Sequence, residues 1–222
     1  MQARKLIWVA VYAVAMAYVE AAAVVYLRRI YGISDLLRDV APYDARLAAV
    51  ELGREAATLV MILAVGLAAG RSVQARLGFA GVAFGTWDIV YYGWLRIMLG
   101  WPDSLLASDL LFLIPLPWWG PVLSPVLVAL LSIAGGALAI LHDDRGHAMR
   151  PDPAAWAALL AGILAILYAF MADALRVLPA GAETLGRLRP TPFNWPVFLA
   201  GYLAMIWGIR RAALTAARSP AG

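Results

Sequence analysis

Cysteine is absent from the 222 residues. That excludes disulfides, thiolate-bound metals, iron–sulfur clusters and dithiol redox chemistry. Lysine occurs once, as Lys5, ahead of the first long apolar run. An intramembrane Schiff base therefore has no amine to form on, so no retinal pigment is expected, and a Ser–Lys nucleophile pair fails for the same reason. Histidine occurs twice, as His142 and His147 in the stretch His-Asp-Asp-Arg-Gly-His. Neither lies in an apolar segment, which argues against haem and against histidine-bound zinc or di-iron sites within a membrane. The pair itself reads as part of a solvated loop. No Gly-x-Ser-x-Gly elbow and no Gly-x-x-x-x-Gly-Lys phosphate loop is present. Charge is scarce as well: Asp, Glu, Lys and Arg make up 14% of the chain, against about 25% in a soluble domain.

What is abundant is apolar surface. Hydrophobic residues account for 64% of the chain, and the mean hydropathy is +0.78. Water cannot solvate that much apolar area, so the solvent has to be lipid. A membrane-crossing helix needs about 20 predominantly apolar residues. Six segments meet that length: 6–27, 47–69, 77–99, 121–141, 154–177 and 193–209. Arg4 and Lys5 before the first run resemble the head of a cleavable leader. The run continues to Leu27, however, which suits a retained first span. The expected fold is all-α, a polytopic integral membrane helical bundle forming a single transmembrane domain over 1–222.

The connection after the third span is unusual. Gly-Trp-Pro-Asp-Ser opens it at Gly100, an apolar run too short to cross a membrane follows, and Pro-Leu-Pro-Trp-Trp-Gly-Pro closes it. Ser104 suits a helix N-cap and Pro115 a helix stop, which predicts a short interfacial or re-entrant helix near 104–114. Trp101, Trp118 and Trp119 suit headgroup depth. Gly66 with Gly70 and Gly81 with Gly85 give the small-x-x-x-small spacing that lets helices approach closely in lipid.

Glu20 and Arg28 at the end of the first span, with Gly32 beyond, are echoed by Asp88, Arg96 and Gly100 at the end of the third. Leu175-Arg176 and Gly181 repeat the pattern weakly. Two explanations stand side by side: a repeated helical hairpin, or the general preference for Arg and Gly at helix C-termini.

The net charge is +4. The arginines flank apolar segments, which is anchoring at lipid headgroups rather than a nucleic-acid face, and no nucleic-acid partner is expected. A slight excess of basic residues on the two termini and the second and fourth connections favours both termini on the cytoplasmic side. The expected location is a bacterial cytoplasmic membrane, with lipids as partners and either a homo-oligomer or a larger membrane complex as context.

Ionised groups inside a bilayer are expensive, which makes intramembrane acids functional candidates. Glu20, Glu51, Glu55, Asp88 and Asp173 fall inside expected spans. Alternate spans run in opposite directions, so all five come to the half of the bundle facing the first, third and fifth connections, with Asp109 on the same side. Glu51, Arg54 and Glu55 share one helix face. Two carboxylates one turn apart suit a hard divalent cation, the one candidate cofactor, with Glu51 and Glu55 as its metal ligands, or they share a proton. Arg28, Arg54 and Arg96 are the expected charge partners. Tyr91 and Tyr92 lie within hydrogen-bonding reach of Asp88 along the helix, and Asn194 is a weaker candidate at the start of the sixth span.

The cluster supports three functional readings: a small transporter binding a cation, proton or small polar ligand near the outer face; a structural subunit or assembly factor held together by ion pairs; and an intramembrane enzyme acting on a lipid or isoprenoid. The enzyme reading requires an apolar groove that ends at the acids, beneath the 101–120 segment.

Overall fold

The computed structural model describes residues 2–33 and 44–218, and side chains over 4–33 and 44–215. The sequence's Asp35, Arg38 and Asp39 lie outside the described residues. Six long helices cover the six apolar segments: α1 (Gln2–Ile30), α2 (Ala45–Ala69), α3 (Val73–Leu99), α4 (Leu123–Asp144), α5 (Pro153–Arg176) and α7 (Trp195–Arg218). A short α6 (Ala182–Gly186) interrupts the connection before α7. The fold is the all-α helical membrane bundle that composition demands.

Among the described residues, five of the long helices are apolar enough to cross a membrane: α1, α2, α4, α5 and α7. The sixth, α3, has a suitable length of 27 residues but is not among those five. Its position explains the difference. It packs against α1, α2 and α4, and Phe79, Ala83, Trp87 and Leu95 are among its buried residues. A helix sheathed by protein does not need the apolarity that lipid contact requires.

Backbone chemistry sets the helix ends. Asp44 accepts from the N–H groups of Arg46 and Leu47, at 2.8 and 3.3 Å, at the start of α2. Ser72 caps α3 through the Ala75 N–H at 3.0 Å. Asp152 caps α5 through the Ala155 N–H at 2.9 Å, with Pro153 in the first helical position, where its missing N–H costs nothing. Gly100 ends α3 at φ +70 and Gly32 follows α1 at φ +64, the left-handed closing geometry that favours glycine. The sequence echo between the first and third spans is therefore at least a likeness of helix ends. Gly181 does not join it, because it precedes α6 with φ −73.

Small residues let the helices approach. A Cβ on Gly66 would lie 2.7 Å from the Arg76 carbonyl oxygen, and one on Gly136 would lie 2.5 Å from that of Gly78. Gly81 and Gly85 likewise face the α4 backbone, so this glycine pair serves packing within the chain. In the His142–His147 stretch, Gln74 of α3 donates to the carbonyls of Ala139 and His147 and accepts from the Met149 N–H. This pins the loop to the bundle.

The connection after α3 corrects an expectation. It forms no helix near 104–114. It forms an antiparallel hairpin of β1 (Ser108–Phe112) and β2 (Trp118–Pro121), with an irregularity between Leu110 and Phe112. Ser104 stabilises a turn, accepting from the Leu106 N–H at 3.0 Å, instead of capping a helix. The physical reason lies in Pro115 and Pro117. Each removes a backbone donor and drives the residue before it out of the helical region. The intervening five residues then reverse the chain, and the apolar run pairs with Trp118–Pro121. The turn before β1 is useful in its own right: the Leu105 and Ala107 carbonyls accept from the Leu123 and Val122 N–H groups at 2.7 and 3.0 Å. They satisfy donors that the first turn of α4 leaves open.

The candidate site beneath the hairpin

A cavity of about 200 Å³ opens between α1, α2, α3 and β1. Glu20 and Arg28 of α1, Glu51, Arg54, Glu55 and Thr58 of α2, Asp88, Tyr91 and Tyr92 of α3, and Asp109 of β1 all line it. It thus collects five carboxylates and two guanidinium groups. Nine of the twelve residues singled out from the sequence meet here.

The carboxylates differ in what they have left to bind. Glu20 is 4% exposed. It is ion-paired to Arg54 and accepts from the Thr58 hydroxyl at 2.5 Å. Arg54 also holds Glu51 at 3.0 Å. One arginine on α2 therefore joins Glu20 of α1 to Glu51 one turn away. Thr58 was not among the sequence candidates. Its place one turn beyond Arg54 on the same helix face was the available signal.

Glu55 accepts the Leu113 backbone N–H through both oxygens, at 2.8 and 3.1 Å. That amide lies just past β1, at a point where the hairpin ladder supplies no acceptor. A strand edge in an apolar environment needs each such donor satisfied, and Glu55 does this from a neighbouring helix. Asp109 accepts from the Tyr92 hydroxyl at 3.1 Å and faces Arg28 at 3.9 Å. The Arg28 guanidinium also lies 4.2 Å from the centre of the Trp101 ring. Burial pushes the Asp109 carboxyl up to about 6, while Arg28 and the Tyr92 hydrogen bond pull it back. The tyrosine expected to serve Asp88 therefore serves Asp109.

Asp88 is the exception. It is 9% exposed, and no described residue forms an ion pair with it. Its Oδ2 is buried without a hydrogen-bond partner among the described residues, as are the indole N–H groups of Trp87 and Trp118. Trp87 and Tyr91 stack beside it at 6.3 Å between ring centres.

The remaining candidates lie elsewhere. Asp173 accepts from the Thr191 backbone N–H at 2.9 Å and its hydroxyl at 2.6 Å, and pairs with Arg176 at 3.1 Å. With Asn194 it lines a separate cavity between α5, the α5–α7 connection and β2. Asn194 accepts from the Val197 N–H at 3.3 Å, the action of a helix cap. Arg96 turns away to the backbone carbonyls of Gly100 and Pro102, so the two arginines of the sequence echo do different work.

Of the two expected metal ligands, Glu51 is engaged by Arg54 and Glu55 by the Leu113 amide. Among the described residues there is no grouping of three or more His, Cys, Asp or Glu side chains suited to hold a metal ion. Neither histidine lines the cavity: His142 lies in the last turn of α4, with its Nδ1 2.9 Å from the Leu138 carbonyl oxygen.

No protein-family model, curated protein or solved structure matches the chain.

Proposed function

We propose that this integral membrane protein binds a small cation, or a proton in its place, at Asp88, and that the cavity is the binding site of a small transporter. The observation that carries the reading is the unpartnered Asp88 Oδ2 in a cavity where five carboxylates share two guanidinium groups. Burying an uncompensated carboxylate costs several kcal/mol, and a bound cation or proton removes that cost. Tyr91, Tyr92 and Trp87 line the cavity with aromatic surface of the kind that attracts cations in a desolvated setting. The slight excess of basic residues on the termini and on the second and fourth connections supports an orientation in which the cavity faces the outer side of the membrane.

A second reading draws on the Arg54 network. It joins α1 to α2, two helices that touch little otherwise, as the ion-pair lock of a structural subunit would.

The test is proton release from weakly buffered purified protein on addition of methylammonium, Na⁺ or Mg²⁺. Wild type is expected to release protons with at least one of these, and Asp88→Asn to release fewer. In proteoliposomes the same ion is expected to exchange against a pH gradient. If Asp88→Asn matches wild type with all three cations, the binding reading fails and the lock stands alone.

A further inference from the structure

A second recess meets the acidic cavity at its floor. It is an apolar groove of about 120 Å³ lined by Leu59 of α2, Phe84, Trp87 and Asp88 of α3, Leu111, Phe112 and Trp118 of the hairpin, Pro125 and Val128 of α4, and Phe170 of α5. Four of these residues, Trp87, Asp88, Leu111 and Phe112, line both recesses. Asp88 therefore stands at the junction of a polar chamber and an apolar one. Leu59, on the groove wall, is 39% exposed on the outer surface of the bundle, which gives the groove a side facing lipid.

We infer that the occupant is a lipid-phase amine: a cationic head seated at Asp88, with the first carbons of its apolar chain in the groove beneath the hairpin. This rests on Asp88 as the cation site and names the class of ligand it takes.

Four observations converge on that occupant. The acid excess of the chamber calls for positive charge. The Asp88 Oδ2, buried and without a partner, is the acceptor that an ammonium N–H lacks in lipid. Trp87 and Tyr91, which stack on one another and line the chamber with Asp88, put aromatic surface near the head. The groove has the dimensions of a short hydrocarbon segment: an engineered cavity of about 150 Å³ lined by aliphatic and aromatic side chains holds benzene. A free inorganic ion would leave this groove without purpose, and a neutral chain would leave Asp88 uncompensated. In lipid the chain gains little from leaving one apolar surroundings for another. The head supplies the affinity, and the groove supplies register and selectivity.

Location, rather than chain-length dependence, is therefore the property to measure. The probe is dodecylamine carrying a photoreactive diazirine close to the amine, added to the full chain in detergent or nanodiscs. Cross-links are expected on peptides containing Leu111 and Phe112 and on those containing Val128 or Phe170. Excess dodecylamine should displace them, and dodecanol and dodecanoate should not. Asp88→Asn should lower the labelling by at least about tenfold, since removing one partner of a buried charge pair typically costs more than that. Leu59→Trp, a change on the exposed wall, should block the groove and lower labelling while leaving methylammonium-induced proton release intact. Labelling confined to outward residues such as Leu63 and Leu67 would overturn the inference, as would equal displacement by dodecanol. With proton release still dependent on Asp88, either result removes the groove ligand and leaves the small-cation site standing. If neither labelling nor proton release depends on Asp88, both readings fall.

Discussion

Replacing Arg54 should damage the protein far more than replacing Glu51, although the two form a direct ion pair. Arg54 is the only guanidinium paired with Glu20 among the described residues, and Glu20 is 4% exposed. In Arg54→Ala, Glu20 retains the Thr58 hydroxyl at 2.5 Å and loses its counter-charge. Leaving a buried charge unpaired in this way costs about 3–5 kcal/mol. Glu51→Ala removes the partner at 3.0 Å from an arginine whose side chain is 27% exposed and still paired with Glu20. That cost is about 1 kcal/mol or less. The expected difference is about 2–4 kcal/mol. At roughly 2–4 °C per kcal/mol for a chain of this size, it separates the two melting temperatures by about 4–16 °C. Thermal unfolding of the purified variants in one detergent measures it. A second comparison isolates the cause: Glu20→Gln placed in the Arg54→Ala background should recover most of the loss, because it removes the stranded charge. Equal melting temperatures for the two single variants, or no recovery in the double variant, would refute the pairing argument.

Two other perturbations probe the hairpin. Glu55→Ala should free the Leu113 amide, with a local cost of about 1.5–3 kcal/mol for a charge-assisted hydrogen bond. Hydrogen exchange at Leu113 should accelerate accordingly, and Glu55→Gln, which keeps one acceptor oxygen, should fall between wild type and Ala. Asp109 gives a pH signature. Its carboxyl sits at about 6 in the folded protein and near 3.9 in an unfolded chain. Below both values the group is protonated in either state and contributes nothing. Between them the folded state holds a proton that the unfolded state has released, so stability falls as pH rises from about 4 to about 6 and then levels off. The loss from this group is about 3 kcal/mol. Asp109→Asn should remove that portion of the slope, and an unchanged pH profile of the melting temperature would contradict it.

The sequence disclosed the bundle and the gathering of acids for one reason: helical rise and alternating direction convert residue number into depth. Glu20, Glu51, Glu55 and Asp88 met in one cavity because their depths fell in the same half of the bundle, and Asp109 joined them from the connection on that side. Lateral position is a different matter. Depth placed Asp173 with the others, but it lies on α5 beside Thr191, in a separate cavity, and nothing in a one-dimensional pattern distinguishes neighbouring helices from distant ones. The hairpin is hidden in the sequence for a related reason. An apolar run of Leu, Phe and Ile suits a buried helix or a buried strand, and period cannot separate them over so few residues. Pro115 and Pro117, two residues apart, were the readable signal against a helix. The division of labour among the acids was beyond the sequence altogether, because it depends on a backbone amide at Leu113 and a hydroxyl at Tyr92 that only the folded chain brings to them.

That division leads to a last expectation, in which stability and binding move in opposite directions. Four of the five cavity carboxylates hold something: Glu20 and Glu51 hold Arg54, Glu55 holds the hairpin, and Asp109 holds Tyr92. Neutralising Glu20, Glu51 or Glu55 removes a contact and should weaken the fold, whereas Asp109→Asn also relieves the buried charge that costs stability above pH 6. Asp88 has no ion-pair partner among the described residues, its Oδ2 is buried without a hydrogen bond, and it pays the desolvation of a carboxylate with little return from the protein. Asp88→Asn keeps the shape and removes the charge. Without ligand, the variant should therefore match or exceed the wild-type stability, by up to about 1–3 kcal/mol. An acid retained for function alone has this signature, since active and binding sites are commonly where stability is sacrificed. With a cationic ligand the order should invert, because only wild type gains from mass action. A clear loss of stability in ligand-free Asp88→Asn would show that Asp88 holds the fold together, and would place it with Glu20, Glu51 and Glu55.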